Sequence, residues 1–216
     1  MSKLIISVSG LRGVIGETLT PDIAAAYVAA FAGHLPKGPI IIGRDGRTTG
    51  PMIAGAIQSA LRACGRIVLD ADVCATPTIG VLVKKMGAAG AVQISASHNP
   101  PEYNGIKLFG NDGRVLDAEK GAAVRDDYEK GVAAWVSYDK IGSTMRVTDP
   151  HKPHLDAVLK TIDSESVRNR NFRVLLDSNH GAGGVLGRRL LEDLNCELIA
   201  LGEEPDGHFA HVPEPT

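Results

Sequence analysis

Short apolar runs that stop abruptly at glycines or clusters of polar groups, with helix-length segments between them, constrain this chain more than any other feature. Pro39 to Ile42 is apolar throughout, and Ala88 to Ile94 is a second run of the kind. Such runs are buried on both sides, as strands in a sheet covered by helices. Leu4 to Ser9 and Arg66 to Leu69 read as further strands. Helix signals fall between them. Thr20-Pro21-Asp22 offers a capping hydroxyl, a proline at the first helical position and an acid in the first turn, which predicts a helix to about Leu35. Pro51 to about Cys64 puts Met52, Ile53, Ala56, Ile57, Ala60 and Leu61 on one face. Thr76-Pro77 opens another helix, to about Lys85. The alternation predicts an α/β fold.

The pattern changes after Ile94. Ile106 to Phe109, a turn at Gly110-Asn111-Asp112-Gly113, and Arg114 to Leu116 read as a hairpin, which sets antiparallel pairing beside parallel strands. Asp117 caps a helix to about Lys130, a strand is expected near Met145 to Val147, and Asp149-Pro150 caps a helix through Ile162. Ser164 to Arg170 is polar, like a linker. A second strand-turn-helix-strand unit follows, from Phe172 to Leu201, with its turn at Asp177 to Gly184. The expectation is a three-layer α/β/α domain with a mixed sheet over residues 1–149 and an incomplete second domain of the same type over 150–216. One strand-helix-strand unit cannot close its own core. The helix face with Val185, Leu186, Leu190 and Leu191 therefore needs cover, from the first domain or from a partner chain such as a second copy.

Bulk properties narrow the function classes. The 216 residues are 44% apolar and 22% charged, ordinary for a soluble domain. Folding at this size buries roughly 70% of the unfolded surface without disulfides. Cys64, Cys74 and Cys196 are odd in number and widely spaced, which favours reduced thiols in a cytoplasmic protein. A formal charge of −2 with interspersed signs gives no footprint for nucleic acid or an anionic membrane. No apolar stretch approaches a membrane span.

The chemistry-bearing residues sit where strands end. Ile94-Ser95-Ala96-Ser97-His98-Asn99-Pro100 closes an apolar run with two hydroxyls, an imidazole and an amide, and Lys107 heads the next strand-like run in Asn104-Gly105-Ile106-Lys107. Ser97, His98 and Lys107 could form a nucleophile with cationic support; equally, Ser95, Ser97 and Asn99 could be loop caps. No glycine flanks Ser97 in the manner of an α/β-hydrolase elbow, and no acid is evident to orient His98. Ser9-Gly10-Leu11-Arg12-Gly13 reads as a turn whose Arg12 is either a surface side chain or a phosphate ligand. In Gly43-Arg44-Asp45-Gly46-Arg47, bracing of the loop by Asp45 with either arginine is favoured over phosphate binding. Gly181-Ala182-Gly183-Gly184 opens a helix; a structural turn is favoured over an anion site. Asp70-Ala71-Asp72 reads as capping or solvated carboxylates. His208 and His211 would bind a metal only with further ligands.

Together these loops resemble the α-D-phosphohexomutases: phosphoglucomutase, phosphomannomutase and phosphoglucosamine mutase. Ser9 to Gly13 is similar to the family's Ser-Gly-Ile-Arg-Gly. Gly43 to Arg47 resembles its Gly-Arg-Asp-x-Arg, and Ala75-Thr76-Pro77-Thr78 matches Pro-Thr-Pro in part. Ser95 to Pro100 resembles the active-site Thr/Ser-Ala-Ser-His-Asn-Pro, and Asn104 to Lys107 its Asn-Gly-x-Lys. Asp177 to Gly183 and Pro213-Glu214-Pro215-Thr216 resemble second-domain motifs. The resemblance implies a phosphoserine at Ser97 that exchanges phosphate with hexose phosphates through a hexose 1,6-bisphosphate. It implies Lys107 as the acid/base, Arg12 and His98 as phosphate or sugar contacts, and Mg²⁺ bound through the Ser97 phosphate. The aspartate-rich metal loop, Asp-Gly-Asp-x-Asp-Arg, has no counterpart here. The expectation is therefore an N-terminal fragment with little mutase activity alone. A non-catalytic phosphosugar-binding or assembly module and a serine hydrolase are the alternatives.

Overall fold

The computed structural model describes residues 3–7 and 10–214. Its main body is a seven-stranded mixed sheet. The strands are β1 (Ile5–Ser7), β2 (Gly10–Val14), β3 (Ile40–Arg44), β4 (Val68–Val73), β5 (Gly90–Ile94), β6 (Tyr103–Phe109) and β7 (Thr144–Arg146), in spatial order β1-β2-β6-β5-β3-β4-β7. Strands β5, β3, β4 and β7 run parallel, and β6 and β1 pair antiparallel with their neighbours. Side chains alternate across the sheet. Ile40 and Ile42 enter a core shared with α1 (Pro21–Gly33), α2 (Gly50–Ala63) and α4 (Ala118–Glu129), while Ile41 enters one with α3 (Thr76–Met86) on the other face. Those two cores make the three layers. Beyond the sheet come α5 (Lys152–Leu159) and α6 (Ser164–Arg168). A parallel pair, β8 (Arg173–Asp177) and β9 (Glu197–Leu201), is bridged by α7 (Gly183–Asp193).

Several elements differ from the sequence reading, each for a physical reason. Residues 10–14 are strand, not turn: β2 is paired on both sides, by β1 and β6. Ser9, and with it the end of the expected first strand, lies outside the described residues, as do Pro215 and Thr216. The hairpin after Lys107 shrinks to one bridge, Phe109 to Val115, because β2 and β5 already occupy the two edges of β6. Antiparallel pairing comes instead from β6 itself. Strand β4 runs on to Val73, so Asp70 and Asp72 lie within it. Asp70 accepts from Gln58 and Asp72 from Arg44 and Arg146. The polar stretch after Ile162 contains α6, which Asp163 caps through Ser166 N–H at 3.0 Å. Thr20 is the N-cap residue of α1, but its side chain makes no capping hydrogen bond to the first turn.

The second unit is anchored to the first through α5 and α7. Arg189 on α7 holds both oxygens of Asp149, at 2.7 and 3.0 Å. This pairing, led by the Arg189 hydrogen bond, lowers the Asp149 carboxyl to about 2. Thr78 on α3 bonds His154 Nδ1 on α5 at 2.9 Å. One face of the β8–β9 pair stays open, with Leu175, Ile199 and Leu201 exposed. Among the described residues, no helix is long and apolar enough to cross a membrane.

Candidate active site

The register of three strands brings the expected residues together. Lys107 on β6 lies opposite Gly10 of β2 and Gln93 of β5, and Arg12 lies opposite Gly105. Opposed residues share a face, and so do residues two apart on one strand. Arg12 and Lys107 therefore stand diagonally on one face, with Gly10 and Gly105 between them. Neither glycine position has room for a side chain. A Cβ on Gly10 would lie 1.9 Å from the Ile106 carbonyl oxygen, and one on Gly105 would lie 2.8 Å from that of Ser95. The result is a cleft of about 180 Å³ lined by Arg12, Lys107, Ser95 and Ser97.

Ser97 sits at the exit of β5, exposed, with φ +57°. A left-handed serine is uncommon and costs free energy unless its surroundings hold it. Here its N–H donates to Ser95 Oγ at 3.0 Å and its carbonyl accepts from Arg47 Nη2 at 3.0 Å. Asn99 Nδ2 donates to the Ala96 carbonyl at 2.6 Å and tightens the same turn. Buried Asn104 fixes the next strand: its Oδ1 accepts from Gly105 N–H at 2.8 Å and its Nδ2 donates to Thr49 Oγ1 at 3.0 Å.

His98 points elsewhere. It lines a separate hollow of about 540 Å³ with Asn179, His211 and Glu214, and its Nε2 lies 3.5 Å from Glu214 Oε2 with both side chains half exposed. Ser97 borders this hollow too, and a third of about 200 Å³ reaching the start of α7. The structure thus brings Arg12, Lys107 and Ser97 into one cleft and places His98 beside it, toward the second unit.

The remaining candidates resolve as scaffold. Asp45 braces Arg47, whose Nε donates to it at 3.2 Å; Arg44 turns to Asp72 instead, at 2.6 Å. Residues 178–182 form a strand-to-helix turn, packed so closely on the start of α7 that a Cβ on Gly184 would come 2.8 Å from Ser178 Oγ. His211 pairs with Asp177 at 3.1 Å. The Val212 carbonyl first, and then Asp177, raise its pKa. No group of three or more His, Cys, Asp or Glu among the described residues could hold a metal ion. Around Ser97 the donors are hydroxyls, amides and cations. They do not make a Mg²⁺ site, which needs about six oxygens in octahedral array. Sequence reasoning missed the buried guanidinium of Arg47 beneath the serine loop and the carboxylate of Glu214 beside His98. Only the Asp45-Gly46-Arg47 spacing hinted at the first.

Comparison with known proteins decides the family. Residues 3–134 match the model for phosphoglucomutase/phosphomannomutase alpha/beta/alpha domain I, and residues 152–216 match the one for domain II. The chain belongs to the phosphoglucomutase/phosphomannomutase family. A Thermococcus kodakarensis protein named probable phosphoglucosamine mutase is 36% identical over 208 residues, 96% of this chain and 45% of that protein. A second protein of that organism, named phosphoglucomutase/phosphomannomutase, is 35% identical over 213 residues, 96% of this chain and 46% of its own length. The chain thus spans about half the length of the curated relatives it matches. Among solved structures, a family protein from Burkholderia thailandensis superposes with a TM-score of 0.78 at 26% identity, covering 96% of this chain and 46% of its own.

Proposed function

We propose that this chain carries the phosphoserine half of a phosphohexomutase, with Ser97 as the residue that gives and takes back phosphate. The observation that supports it most is the placement of exposed Ser97 in one cleft with Arg12 and Lys107. A phosphoserine bears about −1.5 to −2 charge at neutral pH, and two cations flanking it suit phosphoryl transfer, which depends mainly on positioning and neutralisation. In the proposed cycle the Ser97 Oγ–P bond breaks as a P–O bond to a sugar hydroxyl forms. The Lys107 ammonium gives a proton to the departing Ser97 Oγ and takes the one the sugar hydroxyl releases, so Ser97 ends as a hydroxyl and Lys107 is unchanged. The resulting hexose 1,6-bisphosphate then returns its other phosphate to Ser97. Arg12 binds the moving phosphate. His98, in the neighbouring hollow, is proposed as a phosphate or sugar contact.

Mg²⁺ would supply further charge neutralisation at the serine phosphate, but its other ligands are not among the residues described. The domain boundary is assigned to Asp149, where the ion pair to Arg189 joins the two units. The proposal is for hexose phosphates as a class, since two relatives of nearly equal identity carry different sugar names. Steady turnover is expected to draw on what the longer relatives hold beyond the matched half. A coupled assay with hexose 1-phosphate and Mg²⁺ tests that point: this chain should give no sustained turnover, and robust turnover would sink it.

Glu214 beside His98 supplies the acid that a serine hydrolase would need. The pair is exposed, and among the described residues Ser97 and His98 share no hydrogen bond. Labelling of Ser97 by a fluorophosphonate would favour that second reading.

A further inference from the structure

The Arg47 guanidinium makes five hydrogen bonds and one ring contact, with partners in three separate segments. Its side chain is 1% exposed. Nε donates to Asp45 Oδ2 at 3.2 Å. Nη1 donates to the carbonyls of Pro100 and Tyr103 at 2.7 and 3.0 Å, and Nη2 to those of Ser97 and Asn99 at 3.0 and 2.6 Å. All five guanidinium N–H groups are thereby used. A buried cation with one carboxylate partner is costly to desolvate. Four inward-turned carbonyls supply the rest of the compensation, and they can do so only while the loop from Ser97 to Tyr103 keeps its shape.

The same guanidinium meets the second unit. Its Cζ lies 5.1 Å from the centre of the Phe209 ring, within the range of a cation–π contact. The flanking backbone is seated without slack. A Cβ on Gly207 would lie 2.7 Å from Arg47 Cα, and one on Gly46 would lie 2.5 Å from the Pro205 carbonyl oxygen. The segment from Pro205 to Phe209 therefore rests on Arg47 from one side, while the serine loop hangs from it on the other.

We propose that Arg47 is a positioning residue: it holds Ser97 in its left-handed conformation and, through Phe209, couples that conformation to the seating of the 205–209 segment. The inference rests on reading Ser97 as the phosphate carrier. It does not require Arg47 to touch substrate. It makes the approach of the second unit a condition for a correctly aimed Ser97 Oγ, because losing the Phe209 face frees the guanidinium to shift and takes the Ser97 carbonyl with it.

Hydrogen exchange of the full chain, followed by mass spectrometry, tests this with Arg47→Lys, Phe209→Leu and, as control, Arg44→Lys, whose side chain bonds Asp72 Oδ1 at 2.6 Å and the Asp45 carbonyl at 3.4 Å and none of the serine-loop carbonyls that Arg47 holds. A lysine offers three donors without the planar fork. In Arg47→Lys the amides of residues 97–103 should exchange about tenfold faster while those of β3 and β5 hold. In Phe209→Leu the same amides should exchange about threefold faster, and in Arg44→Lys not at all. In single-turnover uptake from glucose 1,6-bisphosphate, Arg47→Lys should lower the maximal rate of Ser97 labelling and leave the Kd for the bisphosphate unchanged. Unchanged loop exchange in Arg47→Lys with native melting, or loosening spread evenly across the sheet, overturns the positioning role. Unchanged exchange in Phe209→Leu overturns the coupling, and does so even if Arg47→Lys fails to fold. A wild-type chain whose Ser97 takes no phosphate defeats the functional reading alone and leaves the exchange result to stand by itself.

Discussion

Replacing Gly105 by alanine probes the scaffold of the cleft without adding or removing any charged or nucleophilic group. The new Cβ would sit 2.8 Å from the Ser95 carbonyl oxygen and 2.9 Å from that of Leu11. Both are main-chain atoms, on opposite sides of β6, so neither can swing away as a side-chain tip would. Reaching ordinary contact requires a retreat of about 0.5 Å or more. The bond from Ser95 N–H to the Gly105 carbonyl, 2.9 Å long, resists it. Overpacking of this kind costs about 1–3 kcal/mol. For a chain of this length each kcal/mol lowers Tm by about 2–4 °C, so the melt should fall by about 2–12 °C. Ser97, Arg12 and Lys107 stand on the three backbones that must part. Phosphate uptake by Ser97, measured well below both melts, should therefore fall by more than the unfolded fraction explains. A melt within about 1 °C of wild type together with unchanged uptake would refute the packing argument.

Other expectations follow from single contacts. Lys107→Met should leave the melt nearly unchanged and slow Ser97 phosphorylation by about a hundredfold, the usual scale of general acid/base catalysis; an unaltered rate would remove Lys107 from the reaction. Asp149, lowered to about 2 chiefly by the Arg189 hydrogen bond, stabilises the fold above its ordinary value near 3.8, and that contribution is lost as pH falls through about 2. Its side chain is 40% exposed, so after solvent screening the contribution is about 1 kcal/mol. Asp149→Asn should forfeit that amount at neutral pH and flatten the acid limb between about pH 4 and 2, as read by chemical denaturation. His151 is buried, and burial first, then Arg189, depress its pKa against the pull of Asp149. The unfolded chain then binds the proton more readily, so stability should decline as pH drops below the ordinary histidine value. His151→Gln should remove that component of the pH dependence of the melt.

What could be read from the residues alone was whatever short-range chemistry decides. Ile40 to Ile42 announced a strand buried on both faces, and Asp117 announced the start of α4; the structure holds both, with Asp117 accepting from Lys120 N–H at 2.9 Å. Arg12 and Lys107 could be singled out by type, but their meeting depends on register across β2 and β6, which no local pattern encodes. Gly10 read as a turn residue because its freedom at φ +153° is the same property that lets β2 press against the Ile106 carbonyl. Arg47 was legible only as a partner for Asp45. Its carbonyl acceptors lie some fifty residues on, in a loop whose shape exists only once β5 and β6 have paired. Glu214 beside His98 and Phe209 over Arg47 come from the second unit, so their roles depend on how the two units dock.

If Ser97 exchanges phosphate, phosphopeptide mapping will find the label there. The chain, and its Ser97→Ala variant, would be incubated with glucose 1,6-bisphosphate and Mg²⁺, digested, and mapped by mass spectrometry. A single phosphate on Ser97 of the wild-type chain, absent from the variant, is the expected result. Phosphate on another residue, or equal labelling of both proteins, would remove Ser97 as the phosphate carrier.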